Sequence, residues 1–272
     1  APVSEEGMAF MLVCGCDIGS TTGKALLLDE ESVVGYSIIP CATRPERTAD
    51  QAIELALEKA GLGGDEAIDY IVATGYGRVN LQRADENVSE ITCHGRGAHH
   101  LRPTLRTVID IGGQDCKVMS LNEEGRVVDF SMNDKCAAGT GRFFEAMSRA
   151  IGIGLDELAE ISLKADKAAS ITSQCSVFAE SEVISLLNEG VPLPEIAAGI
   201  NESIAARLSS LARKVGLREE LALTGGCAKN RGLVVALERR LETRVQSLSA
   251  DPQVIGALGA ALIARERLLS PG

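Results

Sequence analysis

The chain contains the same short motif twice, and this duplication constrains its fold more strongly than any other feature. Residues 17–24 read DIGSTTGK and residues 110–117 read DIGGQDCK, so each copy begins with Asp-Ile-Gly and has a lysine seven residues after the aspartate. Each motif lies between two apolar runs, and an acidic turn and a third apolar run follow. Apolar runs separated by polar turns predict a β-hairpin that continues into a third strand. The sequence therefore predicts two copies of one three-stranded unit.

The duplication extends beyond these strands. Apolar residues recur at helical spacing over about 49–60 and about 195–215, and each stretch precedes a short apolar run that ends in Thr-Gly. From Asp17 to Thr74 is 57 residues, whereas from Asp110 to the matching Thr224 is 114. We therefore expect an α/β fold of two duplicated βββαβα lobes around a nucleotide cleft, with an insertion in the second lobe.

The repeat also suggests where the lobes begin and end. We place lobe I at 8–102 and lobe II at 103–251, with the insertion at about 133–190. A C-terminal helix at 252–268 is predicted to pack back onto lobe I. Asp251-Pro252 would start this helix, because Asp favours the N-cap and Pro the first helical position.

The two motifs carry the residue types that bind phosphate. Glycines let backbone N–H groups turn toward an anion, hydroxyls add donors and a lysine adds positive charge. Asp17 and Asp110 are predicted to hold Mg²⁺ through water, because Mg²⁺ keeps much of its hydration shell. For one loop alone an ordinary tight hairpin is an equal alternative, and the duplication favours phosphate binding. The predicted ATP contacts here are Gly19, Ser20, Thr21, Thr22, Gly23 and Lys24 in the first loop and Asp110, Gly112 and Gly113 in the second.

A third glycine-rich turn, LTGGCAKN at 223–230, follows a predicted strand and opens a helix. Gly225 and Gly226 would let an adenine or ribose lie flat against the backbone, with Ala228 and Asn230 as further contacts. Neither a Walker A pattern nor a GxGxxG fingerprint occurs, so the sequence supports neither a P-loop nor a Rossmann interpretation.

Composition excludes several classes of partner. The formal net charge of −11 argues against nucleic acid, whose phosphates attract basic faces. The sequence has no run of 18 apolar residues and no signal-peptide pattern, so we expect no membrane span. Eight cysteines in 272 residues lack the close spacing of a secreted disulfide scaffold, which favours a reducing, cytoplasmic compartment. Most are predicted to be core or incidental thiols, namely Cys14 and Cys16 on one strand face and Cys41, Cys93, Cys116 and Cys227.

Two cysteines fall in the insertion. Cys136 (NDKCAAGTG) and Cys175 (SQCSVFAE) each precede a helical pattern, so both are predicted at helix N-termini. There the free N–H groups and the helix dipole stabilise a thiolate or an anionic cluster. Spacing alone favours two buried free thiols. Two cysteines cannot by themselves ligate a four-iron cluster, but a two-fold symmetric dimer would supply four.

These stretches, with ATGYGR and SEITCHGRGA, resemble the ATP-dependent activators (component A) of 2-hydroxyacyl-CoA dehydratases, of the BadF/BadG/BcrA/BcrD type. The order of the loops resembles the acetate/sugar kinase–Hsp70–actin superfamily, and the resemblance covers the chain from about Met8. It implies an oxygen-sensitive homodimer with one [4Fe–4S] cluster between the two chains, ligated by Cys136 and Cys175 of each. It also implies ATP-coupled transfer of one low-potential electron from ferredoxin or flavodoxin to the dehydratase (component D), as in anaerobic amino-acid fermentation.

Several alternatives stay open at this point. The chain could serve a related enzyme, as part of a benzoyl-CoA reductase or as a double-cubane cluster protein reductase, or could be a small-molecule kinase of the same fold. An actin-like scaffold is a further alternative. For ATP cleavage we expect Gln114, Asp115 and Asp17 to take part, with Gln114 orienting water, because Gln is no strong base. An equal alternative is that Gln114 only hydrogen-bonds phosphate or backbone.

Overall fold

A computed structural model describes residues 11–30, 32–63, 68–172 and 175–269. The chain divides into two compact units. Unit 1 comprises Ala1–Pro103, Glu124–Arg126 and Leu248–Gly272, and unit 2 comprises Thr104–Glu123 and Val127–Ser247. The predicted start near Met8, Glu31 of the first acidic turn, and Ser173-Gln174 beside Cys175 lie outside the described residues.

Unit 1 contains a five-stranded sheet in the order β3-β2-β1-β4-β5. The first three strands pair antiparallel, as the hairpin pattern predicts, and β4 pairs parallel with β1. Cys14 and Cys16 are fully buried on one face of β1, which confirms their predicted core position. The strands are β1 (Val13–Ile18), β2 (Thr22–Leu28), β3 (Val33–Pro40), β4 (Tyr70–Thr74) and β5 (Glu86–Asn87).

Two helices cover this sheet, α1 (Pro45–Lys59) on one face and α8 (Ile255–Leu269) on the other, and α2 (Glu90–Leu101) packs against α8. Successive strand residues point to opposite faces, so Leu27 packs with α1 whereas Leu26 and Leu28 pack with α8. The sheet is therefore buried on both sides, which explains its nearly continuous apolar strands.

The start of α8 differs from the prediction. Asp251-Pro252 does not begin the helix, which starts at Ile255. The Asp251 carboxylate accepts the N–H of Gln253 at 2.9 Å, and the Asp251 carbonyl accepts that of Val254 at 3.0 Å. Asp251 thus closes a short turn ahead of the helix instead of capping it.

Unit 2 repeats the sheet in the same order, β8-β7-β6-β9-β10, with the same antiparallel and parallel pairings. The duplicated strand unit is therefore confirmed. The strands are β6 (Thr107–Ile111), β7 (Cys116–Leu121), β8 (Val127–Asn133), β9 (Leu221–Thr224) and β10 (Val245–Gln246).

The helices of unit 2 include the insertion. α3 (Gly141–Ile151), α4 (Leu155–Ser162) and α5 (Ser176–Asn188) lie between β8 and α6 (Leu193–Val215), and α7 (Arg231–Leu241) follows β9. One face of α6 is buried against the sheet and α3 packs against α5. In the described residues no helix is long and apolar enough to cross a membrane.

Candidate functional site: two glycine loops and a cysteine segment

Loop 1, at 19–22, comprises the turn between β1 and β2 and the first residue of β2. The Gly19 N–H donates to the Thr22 carbonyl at 3.0 Å. Asp17 and Lys24 lie opposite each other in the strand register, and Lys24 Nζ is 3.1 Å from Asp17 Oδ2. Lys24 Nζ is also 3.4 Å from the Thr22 carbonyl, so the lysine supports the loop from within the hairpin.

Loop 2, at 112–115 between β6 and β7, has the same construction. The Gly112 N–H donates to the Asp115 carbonyl at 3.0 Å, and Asp110 lies opposite Lys117. Lys117 is buried, and its Nζ is 3.4 Å from Asp110 Oδ2 and 2.8 Å from Asp115 Oδ2. Loop 2 thus places two carboxylates around its lysine where loop 1 places one.

In each unit a Thr-Gly pair ends the neighbouring parallel strand, and its threonine lies opposite the loop aspartate in the strand register. Thr224 Oγ1 donates to Asp110 Oδ1 at 2.9 Å. Gly225 has φ 83°, and a Cβ there would lie 2.4 Å from the Ile111 carbonyl oxygen and 2.9 Å from Asp110 Oδ1. Gly75 in unit 1 also has φ 83°, and its Cβ would lie 2.4 Å from Asp17 Oδ1. Only glycine combines this backbone conformation with such a close approach.

The remaining predicted nucleotide contacts differ in how exposed they are. Ser20 and Thr21 are half-buried in loop 1, and Gln114 is exposed at the tip of loop 2. Asp115 is bound to Lys117, so its carboxylate is less available to orient water than that of a free side chain. In unit 2, Gly113 and Ala228 are half-buried and Gly226 is exposed.

The sequence predicts that the third turn opens directly into a helix, but the structure places a further turn between them. Gly226–Lys229 forms a 3-10 turn, and α7 begins only at Arg231. Asn230 is the N-cap of α7: its Oδ1 accepts the Leu233 N–H at 3.0 Å, and its Nδ2 donates to Asn201 Oδ1 at 2.9 Å. The Asn230 side chain therefore has a structural role in starting the helix.

Sequence reasoning missed four residues of these sites as functional candidates: Lys117, Thr224, Thr74 and Gly75. The duplication itself carried the signal. Lys117 matches Lys24 in the second motif, and the Thr-Gly pairs match each other at the ends of β4 and β9. If matching positions of the two repeats have the same role, the repeat alone identifies all four residues.

The two insertion cysteines occupy different local structures. Cys175 is exposed and is the N-cap residue of α5, at a helix N-terminus as predicted. Cys136 is half-buried, and the prediction that it begins a helix is wrong, because the N-cap of α3 is Thr140. The Thr140 N–H donates to the Ala137 carbonyl at 3.1 Å, so a tight turn separates Cys136 from the helix.

The other thiols near loop 2 are poor metal ligands. Burial raises the pKa of Cys116 to about 11 and that of Cys227 to about 12, so both stay protonated at neutral pH. Cys136 is half-buried and Cys175 is exposed, and their segments lead into helices that pack together. Val177 and Phe178, next to Cys175, are 67% and 68% exposed. Each cysteine thus precedes one of two packed helices, and an exposed apolar surface lies beside Cys175.

Comparison with known proteins identifies relatives along nearly the whole chain. A sequence model described as the BadF/BadG/BcrA/BcrD ATPase family matches residues 14–264. The chain is 46% identical over 260 residues to a protein named activator of lactoyl-CoA dehydratase from Anaerotignum propionicum, which covers 94% of this chain and 98% of the relative. It is 34% identical over 261 residues to one of the chains of benzoyl-CoA reductase from Thauera aromatica, covering 92% of each.

Solved structures agree with the predicted fold. The structure of the activator of the 2-hydroxyisocaproyl-CoA dehydratase from Clostridium difficile with bound ADPNP superposes with a TM-score of 0.90 at 43% identity, covering 94% of this chain and 95% of that one. A ROK family glucokinase from Streptomyces griseus, at 16% identity and a TM-score of 0.57 over 94% and 99% of the two chains, shares the fold alone. The predicted α/β fold of the acetate/sugar kinase–Hsp70–actin superfamily is confirmed.

Proposed function

The chain belongs to the BadF/BadG/BcrA/BcrD ATPase family, and from this premise we propose that it hydrolyses ATP to deliver one low-potential electron to a 2-hydroxyacyl-CoA dehydratase. The proposed electron carrier is a [4Fe–4S] cluster shared by a homodimer. Relatives that are named activators of such dehydratases support the choice of partner. The observation that carries the proposal is that unit 2 combines a phosphate-type loop with a half-buried and an exposed cysteine, each ahead of one of two packed helices.

In this proposal loop 1 and loop 2 are each phosphate-binding loops, and in unit 2 the Gly225-Gly226 turn lies against the nucleoside of ATP. Asp17 and Asp110 would hold Mg²⁺ through water. Each carboxylate already pairs with a lysine, which favours water-mediated over direct contact. Gln114 would orient the attacking water, because it is exposed at the loop tip while Asp115 is engaged by Lys117.

Cys136 and Cys175 of each protomer would be the cluster ligands. When bound, the cluster supplies the electron, and its potential depends on solvent exposure and hydrogen bonding at the sulfurs. Cys175 is the N-cap residue of α5, where the free N–H groups of a helix start favour negative charge. Val177 and Phe178 would be covered by the second protomer, which would exclude water from the ligands.

A reduced ferredoxin or flavodoxin is the proposed electron donor, and the dehydratase the acceptor. A role with benzoyl-CoA reductase is the alternative nearest in chemistry. We favour the dehydratase because the identity to the activator of lactoyl-CoA dehydratase is 46%, against 34% to the benzoyl-CoA reductase chain.

Anaerobic purification tests this proposal. We expect a brown dimer with about four irons and a broad visible absorption band that bleaches on reduction, together with MgATP hydrolysis. A protein without iron, with all eight thiols reduced and free, would contradict the cluster. Formation of a phosphorylated metabolite from ATP would instead favour a kinase.

A further inference from the structure

Helix α3 is capped by loop 2. The first N–H groups of any helix have no acceptor within it. In α3 the Gly141 N–H donates to the Gly112 carbonyl at 2.9 Å, and the Arg142 N–H donates to the Gly113 carbonyl at 2.9 Å. The N-cap hydroxyl of Thr140 does not cap these groups but donates to the Ala137 carbonyl at 2.6 Å. The helix N-terminus therefore depends on two carbonyls of loop 2.

The other side of the Cys136 segment, residues 134–140, is also tied to loop 2. Asn133 ends β8 and lies opposite Cys116, the first residue after loop 2. Its Nδ2 donates to the carbonyls of Cys136 at 2.9 Å and Ala138 at 3.1 Å. The Cys136 segment is thus held from both ends by neighbours of the loop.

The planarity of the peptide group explains how a ligand bound to loop 2 would change the hydrogen bonds at the start of α3. The Gly112 carbonyl and the Gly113 N–H belong to one trans peptide unit, so they point in opposite directions and rotate together. An N–H that tilts toward a phosphate therefore tilts the carbonyl that accepts the Gly141 N–H. The same holds for the Gly113 carbonyl, which accepts from Arg142 and shares a peptide with the Gln114 N–H.

From this geometry we propose that Gly141 and Asn133 are positioning residues that couple nucleotide binding at loop 2 to the position of Cys136. The inference rests on the proposed function, since it assumes that loop 2 binds phosphate and that Cys136 ligates iron. Unit 1 offers the contrast. There the carbonyl of Gly19, the counterpart of Gly112, accepts the Cys41 thiol at 3.2 Å, and no helix is bound to it within the described residues.

Gly141→Pro removes the coupling donor and sets a ring carbon against the Gly112 carbonyl, so it breaks this contact while leaving a residue that suits a helix start. Proline is favoured at the first helical position, and Thr140 has φ −125° and ψ 174°, which suits a residue before proline. Gly141→Ala is the matched control. It keeps the N–H and adds a Cβ 3.2 Å from Gly113 Cα. Asn133→Leu removes the second tie with a side chain of the same branching and heavy-atom number, and it does not change the helix.

The readout is the rate at which a chelator extracts iron from the intact holoprotein, with and without MgATP, at equal starting iron content. For the wild type we expect MgATP to change this rate about tenfold. In Gly141→Pro we expect less than a twofold response, and in Asn133→Leu a reduced one, while Gly141→Ala keeps most of the wild-type response. A full response in both Gly141→Pro and Asn133→Leu would overturn the inference, as would an iron-loaded wild type that does not respond to MgATP. A wild type that purifies without iron would instead overturn the proposed function.

Discussion

The two glycine loops are built on the same hairpin, but different neighbours hold them. In loop 1 the Gly19 carbonyl accepts a hydrogen bond from the Cys41 thiol, a side chain just past the third strand. In loop 2 the equivalent carbonyl, that of Gly112, accepts from the backbone of α3, the first helix after the Cys136 segment. Equivalent carbonyls of the two loops are thus bonded to a local side chain in unit 1 and to a helix of the insertion in unit 2.

The two loops also differ in the charged side chains around their lysines. Asp17 and Lys24 balance each other in loop 1, whereas Lys117 in loop 2 is shared by Asp110 and Asp115. The extra carboxylate makes loop 2 more negative and more dependent on its lysine. Loop 1 is therefore bonded to one side chain at its first carbonyl, whereas loop 2 is bonded there to the backbone of a helix.

The largest contrast is expected between the cysteines that follow the third strand of each unit. Cys136→Ser, and likewise Cys175→Ser, should abolish the iron chromophore, because an alcohol is a poor ligand for iron–sulfur clusters. Cys41→Ser should keep full iron content. Iron assay and visible spectra after anaerobic purification measure this, and an unchanged spectrum in Cys136→Ser would remove that residue from the ligand set.

The next largest difference is expected in the unfolding free energy lost when the lysine of each loop is replaced. Lys117→Met leaves two carboxylates around a buried position and should cost about 3–5 kcal/mol of unfolding free energy, as expected when one partner of a buried ion pair is removed. Lys24 is half-buried and faces one carboxylate, so Lys24→Met should cost clearly less. Urea unfolding measures both, and equal losses would show that the third charge has no energetic effect.

The Thr-Gly pairs should behave alike in the two units. Gly225→Ala and Gly75→Ala each place a Cβ in contact with the loop aspartate, which should cost about 1–3 kcal/mol through overcrowding in addition to backbone strain. Gly216→Ala is the control, because Gly216 has φ 81° with no atom within 4 Å of its Cβ position, so only the left-handed strain of about 1–2 kcal/mol applies. Thermal or urea unfolding reports the excess. No excess over Gly216→Ala would contradict the close approach.

The smallest effect is expected at the loop 1 anchor. Burial raises the pKa of the Cys41 thiol, so it stays protonated and donates to the Gly19 carbonyl. Cys41→Ala loses this bond but keeps the backbone bond from Cys41 to the Thr21 carbonyl. We expect nucleotide affinity to fall about two- to fivefold, for about 0.5–1 kcal/mol. Cys41→Ser, which retains a donor, should bind within twofold of the wild type in titration calorimetry. Equal affinity in both variants would remove the anchor role.

Much of this architecture could be predicted from sequence, since it follows from local patterns. The two motifs, their hairpins and the long helices all follow from apolar periodicity, and the duplication places the loops at matching positions. The predicted start of α8 is wrong by three residues, because Asp251 can cap a helix or close a turn and only tertiary packing decides between them.

The site is harder to predict because its key contacts join residues distant in sequence. Nothing local shows that Thr224 donates to Asp110, or that α3 takes its cap from Gly112 and Gly113. The sequence pattern places Cys136 at a helix start because a helical pattern follows it, whereas the Asn133 side chain donates to the Cys136 carbonyl and the helix begins only after Thr140.

The most direct test of the account is an activation assay with a 2-hydroxyacyl-CoA dehydratase that has been separated from its own activator. The iron-loaded, chemically reduced protein is mixed with the dehydratase and its substrate, and product is followed with and without MgATP. We predict that dehydration begins only when the reduced protein and MgATP are both present, and that Cys136→Ser gives none. Activation of the dehydratase by the reduced protein without nucleotide, or by Cys136→Ser with it, would contradict ATP-driven electron delivery through these cysteines.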